Sequence, residues 1–168
     1  MGKKIFFCVS FFLITSLCVY SLDVVETANK EFLTLEETIE LAEKDEKKYT
    51  QMISDFKFLK KATEGHIQAD FKEIDSVINK YPYMPCTEAL RLLVSSDEDI
   101  LNSANYIYSV FTGCPKENQL KDQVYLKILE ASIKEDNYSW SYNAARDLSD
   151  KAKENPVYKS FMTALSQS

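Results

Sequence analysis

Glycine and proline are scarce in this chain. Three glycines and four prolines among 168 residues leave little turn material for a fold of many short strands. The glycines are Gly2, Gly65 and Gly113, so no glycine-rich phosphate loop can be assembled. Histidine is rarer still, with His66 as the only one. A Ser-His-Asp or Cys-His arrangement would have to take it as its base. It stands in a polar stretch beside Gly65, where an exposed helix-end residue is the simpler reading. One histidine and no close-spaced cysteine pair also argue against a zinc site. Asp97-Glu98-Asp99 lacks the ligand spacing and the glycine of a calcium loop. Two carboxylates can run acid hydrolysis, but among 26 acids no pair stands out. No catalytic residue, metal ligand or cofactor is therefore assigned, and the chain reads as a non-enzyme.

A long apolar run occurs once. Ile5 to Val19 is almost wholly apolar behind Lys3 and Lys4, about the length of a signal-peptide core and short for a membrane span. Val19-Tyr20-Ser21 supplies tolerated residues before a cleavage point, so residues 1–21 are expected to be removed after Ser21. Lipidation at Cys18 is disfavoured by the bulky Leu17 before it, and myristoylation at Gly2 by Phe6, where the motif needs Ser or Thr. The expectation is an exported protein, periplasmic or secreted, with no stable membrane insertion. Its remaining 18 basic and 26 acidic residues give a net charge of −8. Such a chain repels nucleic-acid phosphates and anionic membranes, which removes both as expected partners.

What is plentiful is helical periodicity, and the fold class expected is all-α, antiparallel helical hairpins packed as a bundle or short solenoid. Residues 22–33 read either as a ragged start or as an early helical turn. Thr34 and Glu37 have capping-box spacing ahead of a long helix. Leu35, Ile39, Ala42, Tyr49, Met52, Ile53, Phe56 and Leu59 run along that helix at three-and-four spacing, to an end near Glu64 with Gly65 as left-handed cap. The charged run Glu43–Lys48 reads as its solvated face. Ile67, Phe71, Ile74, Ile78 and Tyr81 suggest a coiled-coil-like seam on a second helix, folded back across Gly65 or continuous through it. Residues 22–84 are read as this N-terminal hairpin, and Tyr81-Pro82-Tyr83-Met84-Pro85 is the candidate boundary before residues 85–168, with one continuous domain as the alternative.

Residues 85–115 read as a second hairpin. Ala89, Leu90, Leu93 and Val94 mark the first arm, with Thr87 as its cap. Ile100, Leu101, Ala104, Ile107, Tyr108 and Phe111 mark the second, opened by Ser96 and closed by Gly113 and Pro115. Cys86 and Cys114 bracket the open end. After export they would be the only thiols, and an even pair in that setting reads as one disulfide, against two buried free thiols. The first arm looks several residues shorter than the second, so the bridge requires the chain near Pro85 or Gly113 to make up the difference. Further helices are expected at about 118–134, through Tyr142, Ala145, Leu148 and Ala152 up to Asn155, and around Tyr158, Phe161, Met162 and Leu165. Asn137 reads as a helix cap, or as a glycosylation acceptor in Asn137-Tyr138-Ser139.

Ala104, Tyr108, Phe111 and Pro115 are spaced much as Ala144, Leu148, Ala152 and Pro156 are, and Pro82, Pro115 and Pro156 fall 33 and 41 residues apart. Over residues 85–156 this resembles tetratricopeptide-type helical hairpin repeats. The resemblance implies stacked hairpins with a groove that binds a peptide or protein. The function expected is protein binding or scaffolding, with a helical bundle around a small apolar ligand as the alternative and an acid-pair hydrolase third. First-arm helices line the groove of stacked hairpins, which points to Arg91, Lys127, Tyr138 and Trp140 as the binding surface. The competing reading puts Trp140 in the core.

Overall fold

The computed structural model describes residues 23–167, so the expected signal segment, Cys18 and the Ser21 cleavage point lie outside the described residues. Asp23 caps the first helix, α1 (Val24–Glu31), by accepting from the backbone N–H of Val25 and Glu26. This resolves the ambiguous start as helix. Thr34 then opens α2 (Leu35–Glu43). Its Oγ1 accepts from the Glu37 N–H (3.2 Å) while Glu37 Oε2 accepts from the Thr34 N–H (2.8 Å), a complete capping box.

The long helix expected to follow is two. α2 stops at Glu43, and α3 (Glu46–Thr63) begins after Asp45, whose φ −135°, ψ 63° is not helical. Tyr49 adds a kink inside α3. Residues 43–48 are all exposed, so a straight helix would hold this turn in water for no burial. Folding back instead packs Ile39 and Ala42 into the same core as Met52, Ile53, Phe56 and Leu59. The hairpin is antiparallel: Lys60, near the end of α3, pairs with Glu36 at the start of α2. Gly65, at φ +74°, ends α3 in the left-handed region, and the His66 N–H returns to the Lys61 carbonyl at 2.8 Å.

The seam read from Ile67 to Tyr81 is also shorter than expected. α4 is Phe71–Ile78, started by a capping box of Asp70 and Glu73. Ile74 and Ile78 are buried, whereas Ile67 and Phe71 are exposed, so only the later half of the seam packs. Residues 81–84 form a turn, as expected, and the buried side chains form one core that runs across it.

α5 (Pro85–Leu93) starts two residues before Thr87, because Pro85 at the first helical position already has its ring-fixed φ and lacks the N–H that would be orphaned there. Thr87 is therefore not a cap. It is fully buried and donates to the carbonyls of Tyr81 (2.9 Å) and Met84 (3.0 Å). Ser96 does cap α6 (Asp97–Val110), accepting from the Asp99 N–H at 3.2 Å. Gly113 takes φ +82° beyond its end.

The expected disulfide is not formed, and Cys86 and Cys114 are both free thiols. The arms are unequal, with 9 residues in α5 and 14 in α6, so α6 outruns its partner by roughly 7–8 Å at the helical rise. Cys86 sits at the start of α5 in the core, 4.0 Å from Thr38 Oγ1 on α2. Cys114 lies past the far end of α6. Burial pushes each thiol up to about 11.

Asn118 caps α7 (Gln119–Lys134), the hub of the fold, which packs on α5, α6, α8 and α9. Asn137 caps α8 (Tyr138–Asp147) by accepting from the Trp140 N–H. α8 ends near Leu148, well short of Asn155. Ser149 causes this: its N–H donates to Asp122 Oδ1 (3.0 Å) and its hydroxyl to Asp122 Oδ2 (2.5 Å), drawing the chain onto α7. A 3-10 turn at Ala152–Glu154 leads into α9 (Pro156–Gln167). An aromatic column links the end of α1 to α8: Phe32 stacks on Phe111, which meets Tyr125, then Tyr108, then Trp140.

Candidate functional site

An open trough crosses the molecule where α2, the end of α3, α5, α7 and the start of α9 converge. Its position follows from the helix faces. On α7, Leu120, Val124 and Ile128 turn into the core. Gln119, Gln123, Leu126, Lys127 and Glu130 form the adjacent stripe and face the trough. On α5, Ala89, Leu90, Leu93 and Val94 supply the opposite side. Leu35 and Val157 extend the apolar floor.

The trough has two contiguous parts. The larger has a volume of about 740 Å³. The second, about 590 Å³, continues across α7 to the 3-10 turn. Gln119, Gln123, Leu126 and Asn155 line both, so the two depressions adjoin along α7.

Its walls are acidic. Eight carboxylates and three lysines line the two parts together. Lys60 is engaged by Glu36 and Glu64, and Lys127 by Asp97 (3.7 Å) and Glu130 (4.0 Å). Asp97 is held below the usual carboxylate range, chiefly by its hydrogen bond from Lys134. Glu40 is exposed and has no ion-pair partner among the described residues.

The four residues expected to form a binding surface do not share one. Lys127 lines the trough. Arg91 turns to α4, where it donates to Asn79 Oδ1 (2.8 Å) and stands 3.7 Å from Asp75. Tyr138 is exposed on α8, and Trp140 is half-buried with its ring stacked on Tyr108 at 5.4 Å. Arg91 follows Leu90 by one residue, a rotation of about 100° around the helix, which takes it off the trough face. Sequence reasoning missed Gln119, Gln123 and Asn155. The available signal was the four-residue spacing of the two glutamines beside the buried stripe of α7.

Elsewhere the chemistry is structural. The two buried carboxylates, Asp55 and Glu88, hold different partners. Asp55 accepts from Tyr81 Oη (2.8 Å), Lys80 Nζ (3.2 Å) and Gln51 Nε2 (3.0 Å). Burial alone would raise its carboxyl, but these three donors outweigh burial and hold it below the ordinary value. Glu88 accepts from the Tyr83 N–H (3.3 Å) and faces Arg91. Among the described residues no cluster of three or more His, Cys, Asp or Glu side chains is placed to hold a metal ion, and no helix is long and apolar enough to cross a membrane. Comparison of the chain with protein-family models, with curated proteins and with solved structures finds no match.

Proposed function

We infer that this chain is an exported, non-enzymatic binding module that holds a peptide segment of another protein in the trough. The observation that carries this reading is a pair of adjoining open depressions that share four lining residues and have apolar side chains along their floor. A small apolar ligand is better served by a closed cavity that excludes water on all sides. Here one side is open, and the polar groups are spread along the length instead of converging on one point. The first-arm helices α5 and α7 line the channel, as stacked hairpins of the tetratricopeptide type present their grooves.

The test is selection of peptides from a random display library against the purified chain. Selected peptides are expected to lose binding to Leu93→Arg, which places a charge on the apolar floor, and to keep it with Phe71→Ala, an exposed residue away from the trough. Peptides that bind both variants equally, or a library that yields none, would refute the reading.

A further inference from the structure

We propose that the occupant of the trough is a cationic peptide in extended conformation, its main chain hydrogen-bonded by Gln119, Gln123 and Asn155 and its Lys or Arg side chains set against the glutamate walls. The proposal rests on the peptide-binding reading and adds the chemistry of the ligand. Three observations carry it.

The first is charge. Carboxylates outnumber lysines eight to three along the trough; Glu36, Glu64, Glu130 and Glu154 are paired with lysines of this chain, while Glu40 and Glu117 have no ion-pair partner among the described residues. An acidic peptide would meet this field unfavourably, whereas a basic one is complementary to it.

The second is the carboxamides. Gln119 and Gln123 are exposed in the trough, and neither side chain has a hydrogen-bond partner among the described residues. Asn155 Oδ1 accepts from the Val157 N–H (2.9 Å), which leaves its amide group as a donor. A carboxamide offers both donor and acceptor, as a peptide unit does.

The third is spacing. Residues four apart on α7 are separated by about 6 Å along the axis. Alternate residues of an extended chain repeat at roughly 6.5 Å, so both carboxamides can meet equivalent peptide groups on one edge. A helical ligand has its main-chain groups bonded internally and would leave both carboxamides unmatched.

The experiment measures fluorescence anisotropy of labelled seven-residue peptides with the full chain. One alternates lysine with leucine, one replaces lysine by glutamate, and one is the lysine peptide N-methylated at its central amides. The lysine peptide is expected to bind at least tenfold tighter than the glutamate peptide at low salt. That gap should narrow at 1 M salt, where screening acts within about 3 Å. Gln119→Met with Gln123→Met keeps side-chain volume but removes both amides. It is expected to weaken the lysine peptide about tenfold and leave the methylated one, already weak, unchanged. Thermal melts confirm that each variant folds.

Equal binding of the lysine and glutamate peptides, lost in Leu93→Arg, would overturn the cationic ligand and leave the peptide-binding reading standing. Tighter binding of the glutamate peptide would do the same. Helical circular dichroism in the bound lysine peptide, or no effect of the double Gln variant, would overturn the extended conformation. If neither synthetic peptide binds while library-selected peptides of other composition do, the inference falls alone. If no peptide of any kind is held, both fall.

Discussion

Replacing Trp140 by alanine separates its two roles in one molecule. Trp140 is half-buried, and its ring stacks on Tyr108 at 5.4 Å, which in turn lies 4.7 Å from Tyr125. A fully buried Trp→Ala change costs about 3–5 kcal/mol. Partial exposure of Trp140 reduces the transfer part to about 2 kcal/mol, and loss of the stack adds roughly 0.5–1.5. The expected loss is therefore about 2.5–3.5 kcal/mol, a drop in Tm of roughly 5–14 °C for a chain of this size. Trp140→Phe preserves a ring over Tyr108 and should lose about 1 kcal/mol or less. Urea denaturation followed by far-UV circular dichroism measures all three, since the variants lack the only tryptophan. Peptide binding in the trough should be unaffected, because Trp140 does not line it. Stability within about 0.5 kcal/mol of wild type would refute the packing argument. Unchanged stability together with lost peptide binding would restore Trp140 as an anchor.

Four further outcomes are expected. Tyr108→Phe should be neutral or stabilising by up to about 1 kcal/mol in the same urea assay, since the Tyr108 hydroxyl is buried with no hydrogen-bond partner among the described residues; a loss above 1 kcal/mol would reveal a partner. Asp55→Asn should cost about 1.5–3 kcal/mol at pH 7. Because the Asp55 carboxyl is held low in the folded state, its contribution is present above the unfolded pKa and fades as pH falls below about 4, so wild type and variant should converge there; a constant gap down to pH 2.5 would contradict this. Iodoacetamide at pH 8 should label half-buried Cys114 before buried Cys86 in the native protein, and both in urea without reductant; a mapped Cys86–Cys114 bridge would count against the fold described. Gly113→Ala should lower stability by about 1–2 kcal/mol, because nothing stands within 4 Å of the added methyl and only the positive φ opposes it; an unchanged melting temperature would remove that argument.

The sequence by itself determined the helical class and most helix ends. The Thr34–Glu37 box, Ser96, Asn118, Asn137, Gly65 and Gly113 act within three or four residues of themselves, so their effects are written locally and could be read locally. Periodicity also identified the buried stripes, because a helix turns the same face inward wherever its partner lies. The tertiary structure decided what depends on distant residues. The exposed run at 43–48 is compatible with a helix or a turn, and only the shared burial of Ile39 and Phe56 selects the turn. α8 ends where it does because Asp122, 27 residues earlier, binds Ser149. Cys86 and Cys114 bracket one hairpin, and the unequal arms are visible in the sequence, but only the packing shows both as free thiols. The trough belongs to this second group. No helix contains it, and Gln119, Gln123 and Leu93 become neighbours only when α2, α5, α7 and α9 pack, because a groove is a property of the space between elements and not of any one of them.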